Sequence, residues 1–276
     1  MSNLTKRLLT ALVGIPIVGG LTYLGSWWFA GLVVVLVLGA QKEFYDMVGL
    51  KGRHLFIGLM LGIVVVLRLE IQRQFEWMLL LSLIGLITYD TFDGKSTDNW
   101  QKLSWMVAGL VYPAWMFSFA LHLRSYVISS DSYLGFLLIV GLLLIVWVTD
   151  SLAYFTGKAF GKRPLAPAIS PKKTWEGSLG GFAGALVAAI LFKLFLFSLF
   201  SWQDAIACAI IGGIGGQVGD LVESRLKRLF GVKDSGNVLP GHGGVLDRID
   251  GLILIMPLYY FYFKYWGSFS LYDFYN

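Results

Sequence analysis

Charge is what this 276-residue chain has least of: Asp, Glu, Lys and Arg together make up 14% of it, against 57% hydrophobic residues. Soluble domains carry roughly 25% charged residues. A globule built from this chain in water would keep broad apolar patches and aggregate. A lipid bilayer is the better solvent. Cysteine is nearly missing as well. Cys208 stands alone in an apolar run, which excludes an intrachain disulfide and reads as a small buried apolar residue. No convincing internal repeat, soluble domain or flexible linker is visible. The net charge of +5 would suit nucleic acid, but the charges fall where membrane topology requires them, so a nucleic-acid partner is discarded.

What the chain does have is long apolar runs. Leu8 to Gln41 holds no Lys, Arg, Asp or Glu across 34 positions. As one helix it would be about 51 Å long against a hydrocarbon core of about 30 Å, so it reads as two spans with a turn near Gly25-Ser26. Lys6-Arg7 before an apolar run also resembles a signal peptide. The length of the run, the lack of an obvious small-residue cleavage site and the spans that follow make an anchor the better reading. Apolar runs between charged loops give nine candidate spans, at 8–24, 27–41, 54–69, 76–90, 103–123, 134–156, 177–200, 204–227 and 250–267. The expected fold class is therefore all-α, a polytopic transmembrane helical bundle of about nine spans. Spans one to five form an N-terminal region, 1–133. Spans six to nine form a catalytic region, 134–276, with loops at 157–176 and 224–249. Gly180, Gly184, Gly212, Gly215, Gly216 and Gly219 fall at four-residue spacings that let helices approach closely.

Orientation follows from the basic residues. With the N-terminus in the cytoplasm, 17 of the 22 Lys and Arg lie in inside segments; Arg68, Arg73 and Arg124 lie outside, and Lys193 and Lys264 lie within spans. This puts both long basic loops on the cytoplasmic face.

Span eight ends in Asp220, Glu223 and Lys227, spaced i, i+3 and i+7 on one helix face. An ionisable residue inside a span is costly and usually faces a polar cavity or a partner. A structural Glu223–Lys227 ion pair explains this helix alone about as well as a functional site does. The continuation to Asp250 is more telling. Positive-inside topology accounts for Arg225, Lys227, Arg228 and Lys233. It does not account for the carboxylates Asp220, Asp234, Asp247 and Asp250 interleaved with cations, or for Pro240-Gly-His-Gly-Gly244, where backbone can approach a ligand. Hard oxygen ligands beside cations suit a metal-bound polyphosphate, since Mg²⁺ binds through one or two carboxylates plus substrate phosphates. A second basic arm runs from Asp150 through Lys158, Lys162-Arg163 and Ser170-Pro-Lys-Lys-Thr-Trp-Glu-Gly177. Lys162-Arg163 reads equally as a flank touching anionic headgroups, and Asp150 is a candidate only.

At these residues the chain resembles the phosphatidate cytidylyltransferases (CDP-diacylglycerol synthases). Ser224, Lys227, Arg228, Lys233, Asp234, Gly236, Leu239, Pro240, His242, Gly243, Gly244, Asp247, Arg248 and Asp250 fill every fixed position of that family's signature, and Ser170–Gly177 looks like its second recurrent stretch. The resemblance implies a reaction in which CTP and phosphatidate give CDP-diacylglycerol and pyrophosphate, in the cytoplasmic (inner) membrane of a bacterium. A phosphate monoester is close to doubly ionised at neutral pH, so the nucleophile is ready. The difficulty is bringing two anions together. Asp220 and Asp247 are expected to bind Mg²⁺, with a second cation left open. Lys227, Arg228, Lys233 and Arg248 are expected to neutralise phosphates, and Asp234 and Asp250 to be further ligands or to orient those cations. His242 either donates to a phosphate or fixes a turn. Lys172, Lys173, Thr174, Ser224, Gly243 and Gly244 are the expected substrate-binding residues. The partners are CTP, phosphatidate and the bilayer, and the glycine-rich spans would allow a homodimer. Two rivals remain: a CTP-dependent membrane kinase acting on a polyprenol, and a secondary transporter using Asp150, Asp220 and Glu223.

Overall fold

A segment in hydrocarbon must satisfy its own N–H and C=O groups, and an α-helix does so within one stretch of chain. The computed structural model, which describes residues 3–67, 84–85, 88, 98–125, 133–196, 199–238 and 243–268, is accordingly helical through most of its length. Helix α1 (Asn3–Leu24) is followed by α2 (Ser26–Met47), and the turn between them has Gly25 at φ 64°, a left-handed value that glycine adopts without strain. Next come α3 (Gly52–Leu67) and α4, which runs through Asp98–Gly109, a π-helical turn at Leu110–Trp115 around Pro113, and Met116–Arg124. Helix α5 (Leu134–Phe160) leads to two short strands, β1 (Pro164–Ala166) and β2 (Ser170–Thr174). Helix α6 (Trp175–Leu191) continues into π-helical Phe192–Leu196. Helix α7 comprises Trp202–Ile210, a π-helical Ile211–Gly215 and Gly216–Leu229; α8 is Leu246–Tyr265.

Helices cover eight of the nine expected segments, several running a turn or so past the apolar stretch. The fourth, 76–90, falls almost wholly outside the described residues. Among those residues five helices are long and apolar enough to cross a membrane: Ser26–Met47, Asn99–Arg124, Leu134–Phe160, Trp175–Phe195 and Trp202–Leu229. Leu12–Leu24 and Gly52–Leu67 are shorter apolar helices. The chain is an integral membrane protein.

The all-α expectation needs one amendment. Ser170–Thr174 is an extended strand, paired antiparallel with β1 through Pro164↔Thr174 and Ala166↔Ser170. Pro164, Pro167 and Pro171 deny this stretch a helix. The exposed carboxylate of Glu176 ties the hairpin base by accepting the N–H groups of Lys162 (3.0 Å) and Arg163 (3.2 Å).

The chain forms two compact units, Met1–His122 with Asp234–Arg248, and Leu123–Lys233 with Ile249–Asn276. By compactness, Asp234–Arg248 groups with the N-terminal helices. In the first unit, fully buried Tyr45 on α2 donates to the Met106 carbonyl of α4 (2.9 Å), while Gln41 donates to Tyr45 Oη (3.0 Å) and to the Gly58 carbonyl of α3 (3.1 Å). A Cβ on Gly109 would stand 2.3 Å from the Tyr45 ring, so α4 needs glycine there to reach α2.

In the second unit, α6 lies against α5 along glycines. A Cβ on Gly181 would meet Ala153 Cβ at 2.9 Å, and one on Gly184 would meet Leu152 at 2.7 Å. This close approach is the packing use of small residues in membranes. Buried Asp204, near the start of α7, accepts from Ser201, from Tyr262 Oη (2.8 Å) and from Ser268, which ties the end of α8 to α7.

Candidate functional site

In the second unit, polar groups converge on a cavity of about 520 Å³ lined by Asp150, Tyr154, Lys158, Lys172, Lys173 and Asp220, with Thr174, Gly177, Ser178 and Gln217 completing its polar wall. Three elements supply them. Helix α5 carries Asp150, Tyr154 and Lys158 one turn apart, the hairpin strand β2 carries Lys172 and Lys173, and α7 carries Gln217 and Asp220. Lys173 Nζ donates to Asp220 Oδ2. The two side chains are 29% and 38% exposed, so this ion pair is open to a solute. Ser224, one turn on, donates to Asp220 Oδ1 (3.3 Å). Asp150 and Asp220 lie close enough to Asp250 for their negative charges to act on it, and Lys227 acts on it with the opposite sign. Asp250 Oδ1 accepts the N–H of Gly251 (2.7 Å).

One turn further along the same face, α7 is dry. Glu223 is fully buried, and its Oε2 lies 2.5 Å from the ammonium of Lys227, which is itself nearly buried. The expected i, i+4 pair therefore exists. Thr174 caps α6, its hydroxyl accepting the Gly177 N–H at 3.1 Å, as well as lining the cavity. Arg228 is exposed; its guanidinium donates to the carbonyls of Val232 (2.8 Å) and Ile169 (3.4 Å). Lys233 is exposed too.

The first unit holds the other part of the signature. Asp247 Oδ2 accepts the N–H groups of Gly244 (2.8 Å) and Ser235 (3.1 Å), so this carboxylate clamps the turn before α8. Gly243 has φ 77°, and a Cβ there would stand 2.8 Å from Asp247 Oδ2, so both conformation and space ask for glycine. Asp234 and Arg248 are exposed. His242, with Leu239 and Pro240, lies outside the described residues. The sequence reading missed Glu43 on α2. Its carboxylate, only 4% exposed, accepts from Ser235 Oγ, Val245 N and Leu246 N, each at 2.9 Å. A signal was present: Glu43 is the first acidic residue after the uncharged 34-residue run.

Among the described residues no three His, Cys, Asp or Glu side chains are gathered tightly enough to hold a metal ion. The donors that are present still fit Mg²⁺, which takes one or two carboxylates and completes its shell with water and substrate phosphate. Asp220 meets that description, with an accessible carboxylate and Asp250 and Asp150 close by.

The fold and the cavity define the class: an integral membrane protein that brings lysines and carboxylates together in the wall of one cavity. A family model described as the cytidylyltransferase family matches residues 5–266, and the chain belongs to that family. A phosphatidate cytidylyltransferase of Brucella abortus biovar 1 (strain 9-941) is 35% identical over 275 residues, covering 95% of this chain and 94% of that protein. One of Thermotoga maritima is 31% identical over 271 residues, 96% and 97% of the two chains. One of Bacillus subtilis (strain 168) is 41% identical over 182 residues, 66% and 65%.

Proposed function

We propose that this protein is a membrane-bound nucleotidyltransferase that forms CDP-diacylglycerol and pyrophosphate from CTP and phosphatidate, a step of phospholipid synthesis. The observation that carries the reading is the family match over residues 5–266, joined by relatives of that name aligned along almost their whole length. In the reaction, a phosphate oxygen of phosphatidate attacks the α-phosphorus of CTP. The bond to the β-phosphate breaks, and pyrophosphate leaves with the electron pair. The lipid phosphate is already ionised at neutral pH, so the protein's task is positioning and charge neutralisation.

Lys158, Lys172 and Lys173 give the cavity its positive charge and are assigned to substrate phosphate. Arg228, Lys233 and Arg248, all exposed, are assigned to the same task on signature grounds, and His242 to donation or turn formation. Ser224 orients Asp220 through its hydroxyl. Gly243 and Gly244 are assigned to substrate binding on signature grounds, through their backbone; the space a side chain would take there is filled by Asp247, Glu43 and Ser235. Mg²⁺ is assigned to the carboxylates of Asp220 and of Asp247, each within its own unit, with Asp234 and Asp250 as further ligands or orienting partners. Bound there, the cation would screen phosphate charge and stabilise the departing pyrophosphate.

The proposed topology has nine spans, a cytoplasmic N-terminus and the catalytic region 134–276 facing the cytoplasm, in a bacterial inner membrane. The bias of 17 basic residues toward one side supports it. The glycines of α6 are occupied by α5 within the chain, so a homodimer would need another face. The test is to incubate purified protein with CTP, phosphatidate and Mg²⁺. CDP-diacylglycerol and pyrophosphate are the expected products. CDP with a phosphorylated lipid alcohol would mean a kinase, and no nucleotide turnover would sink the enzyme reading.

A further inference from the structure

The donors that Glu43 accepts from are not scattered. Val245 N and Leu246 N are among the first N–H groups of α8, which have no partner inside the helix. A carboxylate from α2, some 200 residues earlier, takes the place of a cap, and its negative charge sits at the positive end of the helix dipole. Ser235 Oγ adds a third hydrogen bond, from the other end of the signature loop. Two glycines of the signature exist beside this side chain. A Cβ on Gly236 would stand 2.5 Å from Glu43 Oε1, and one on Gly244 would stand 2.3 Å from Oε2 and 2.2 Å from Ser235 Oγ. Glu43 therefore gathers Ser235, Gly236 and Gly244–Leu246 around one buried carboxylate. Asp247 and Arg248 follow immediately in the first turn of α8.

We infer that Glu43 is a positioning residue for the reaction: a buried anion on α2 that fixes Ser235, Gly236 and the turn at Gly244–Leu246 that opens α8, so that Asp247 and Arg248 are held where the transition state needs them. It touches no reacting atom. This rests on the nucleotidyltransferase reading above. Groups that act on charge developing in the transition state are sensitive to misplacement, whereas ground-state binding is less so. The deficit should therefore fall on kcat rather than on KM.

The test uses full-length protein in detergent, with activity expressed per folded molecule. Glu43→Gln keeps the shape but removes the charge and one acceptor oxygen; kcat should fall at least about tenfold while KM for CTP and for phosphatidate stays within about threefold. Ser235→Ala removes one of the three hydrogen bonds, so kcat should fall by a smaller factor, and the double variant should be no worse than Glu43→Gln alone because the two act as one unit. If Glu43→Gln does not accumulate, Ser235→Ala decides: a lowered kcat with unchanged KM supports the inference, and an unchanged kcat overturns it. A Glu43→Gln enzyme with wild-type kcat, or with raised KM and retained kcat, overturns it too, as does a multiplicative double variant. These failures would leave an active wild type standing. A wild type that makes no CDP-diacylglycerol would overturn the underlying reading instead.

Discussion

Lys173 on the hairpin strand donates a hydrogen bond to Asp220 on α7, joining residues 47 positions apart in the wall of a single cavity. The pair is open, so a phosphate can compete for the ammonium and a cation for the carboxylate. Replacing Lys173 by Ala should remove a charge-assisted contact worth about 1.5–3 kcal/mol, hence roughly 10- to 100-fold in kcat/KM. Asp220→Asn should abolish Mg²⁺-dependent turnover. Steady-state kinetics on protein that inserts normally will check both; near-normal rates in either variant would remove that residue from the site.

Asp247 has a structural task that can be separated from a catalytic one. Its Oδ2 receives two backbone N–H groups, from Ser235 and Gly244. Asparagine keeps one acceptor oxygen in nearly the same place and loses the charge; alanine loses both. Asp247→Asn should therefore melt close to the wild type yet lose Mg²⁺-dependent activity, while Asp247→Ala should lose activity and about 1–3 kcal/mol of stability from the unsatisfied donors. Thermal melts beside Mg²⁺ titrations of activity make the comparison. An active Asp247→Asn would leave the carboxylate as a clamp only.

The helices and the signature were legible because they rest on local facts. An uncharged run of 34 residues can only be resolved as two helices, and the turn at Gly25 follows from the need for a left-handed residue. The Asp220, Glu223, Lys227 face was legible for the same reason, since all three lie beyond the π-helical Ile211–Gly215 and share regular α-helix down to Leu229. The hairpin at 164–174 was not legible as a strand pair, because proline tells what a segment cannot be and not what it pairs with. Glu43 stands out in the sequence only as the first acidic residue after the apolar run, which does not reveal its task. Its donors lie about 200 residues away, and a carboxylate beside Lys42 and Asp46 reads as an interfacial charge. The grouping of Asp234–Arg248 with the N-terminal helices is likewise a matter of contacts far apart in sequence.

The buried pair of Glu223 and Lys227 yields a prediction in which stability and catalysis part company. Glu223 is fully buried and Lys227 nearly so. Lys227→Met would leave a buried anion uncompensated, at a cost of about 3–5 kcal/mol. Replacing both partners, as in Glu223→Leu with Lys227→Met, should recover most of that loss. If Lys227 also neutralises substrate phosphate, as the signature implies, the recovered double variant will be folded but slow. Full activity in the double variant would confine Lys227 to charge compensation. Melting temperature and kcat/KM measured on the same preparations read the two effects separately.

Gly219 immediately precedes Asp220, and its missing side chain sets how closely α7 approaches α8. A Cβ there would stand 2.8 Å from the carbonyl oxygen of Asp250, 3.0 Å from Gly251 Cα and 3.2 Å from the Gly251 carbonyl oxygen. All three are backbone atoms, which no rotamer change can move aside, so Gly219→Ala must push the helices apart at the level of Asp220 and Asp250. Overpacking of this kind costs about 1–3 kcal/mol. A shift of even a fraction of an ångström at Asp220, which lines the cavity and whose charge acts on Asp250, should reduce turnover by more than the lost stability explains, on the order of tenfold or greater. Gly20→Ala is the matched control: nothing lies within 4 Å of its added methyl group, and alanine favours helix, so both melting temperature and activity should hold or rise. Equal behaviour of the two variants would show that the close approach of α7 to α8 does not matter to the chemistry.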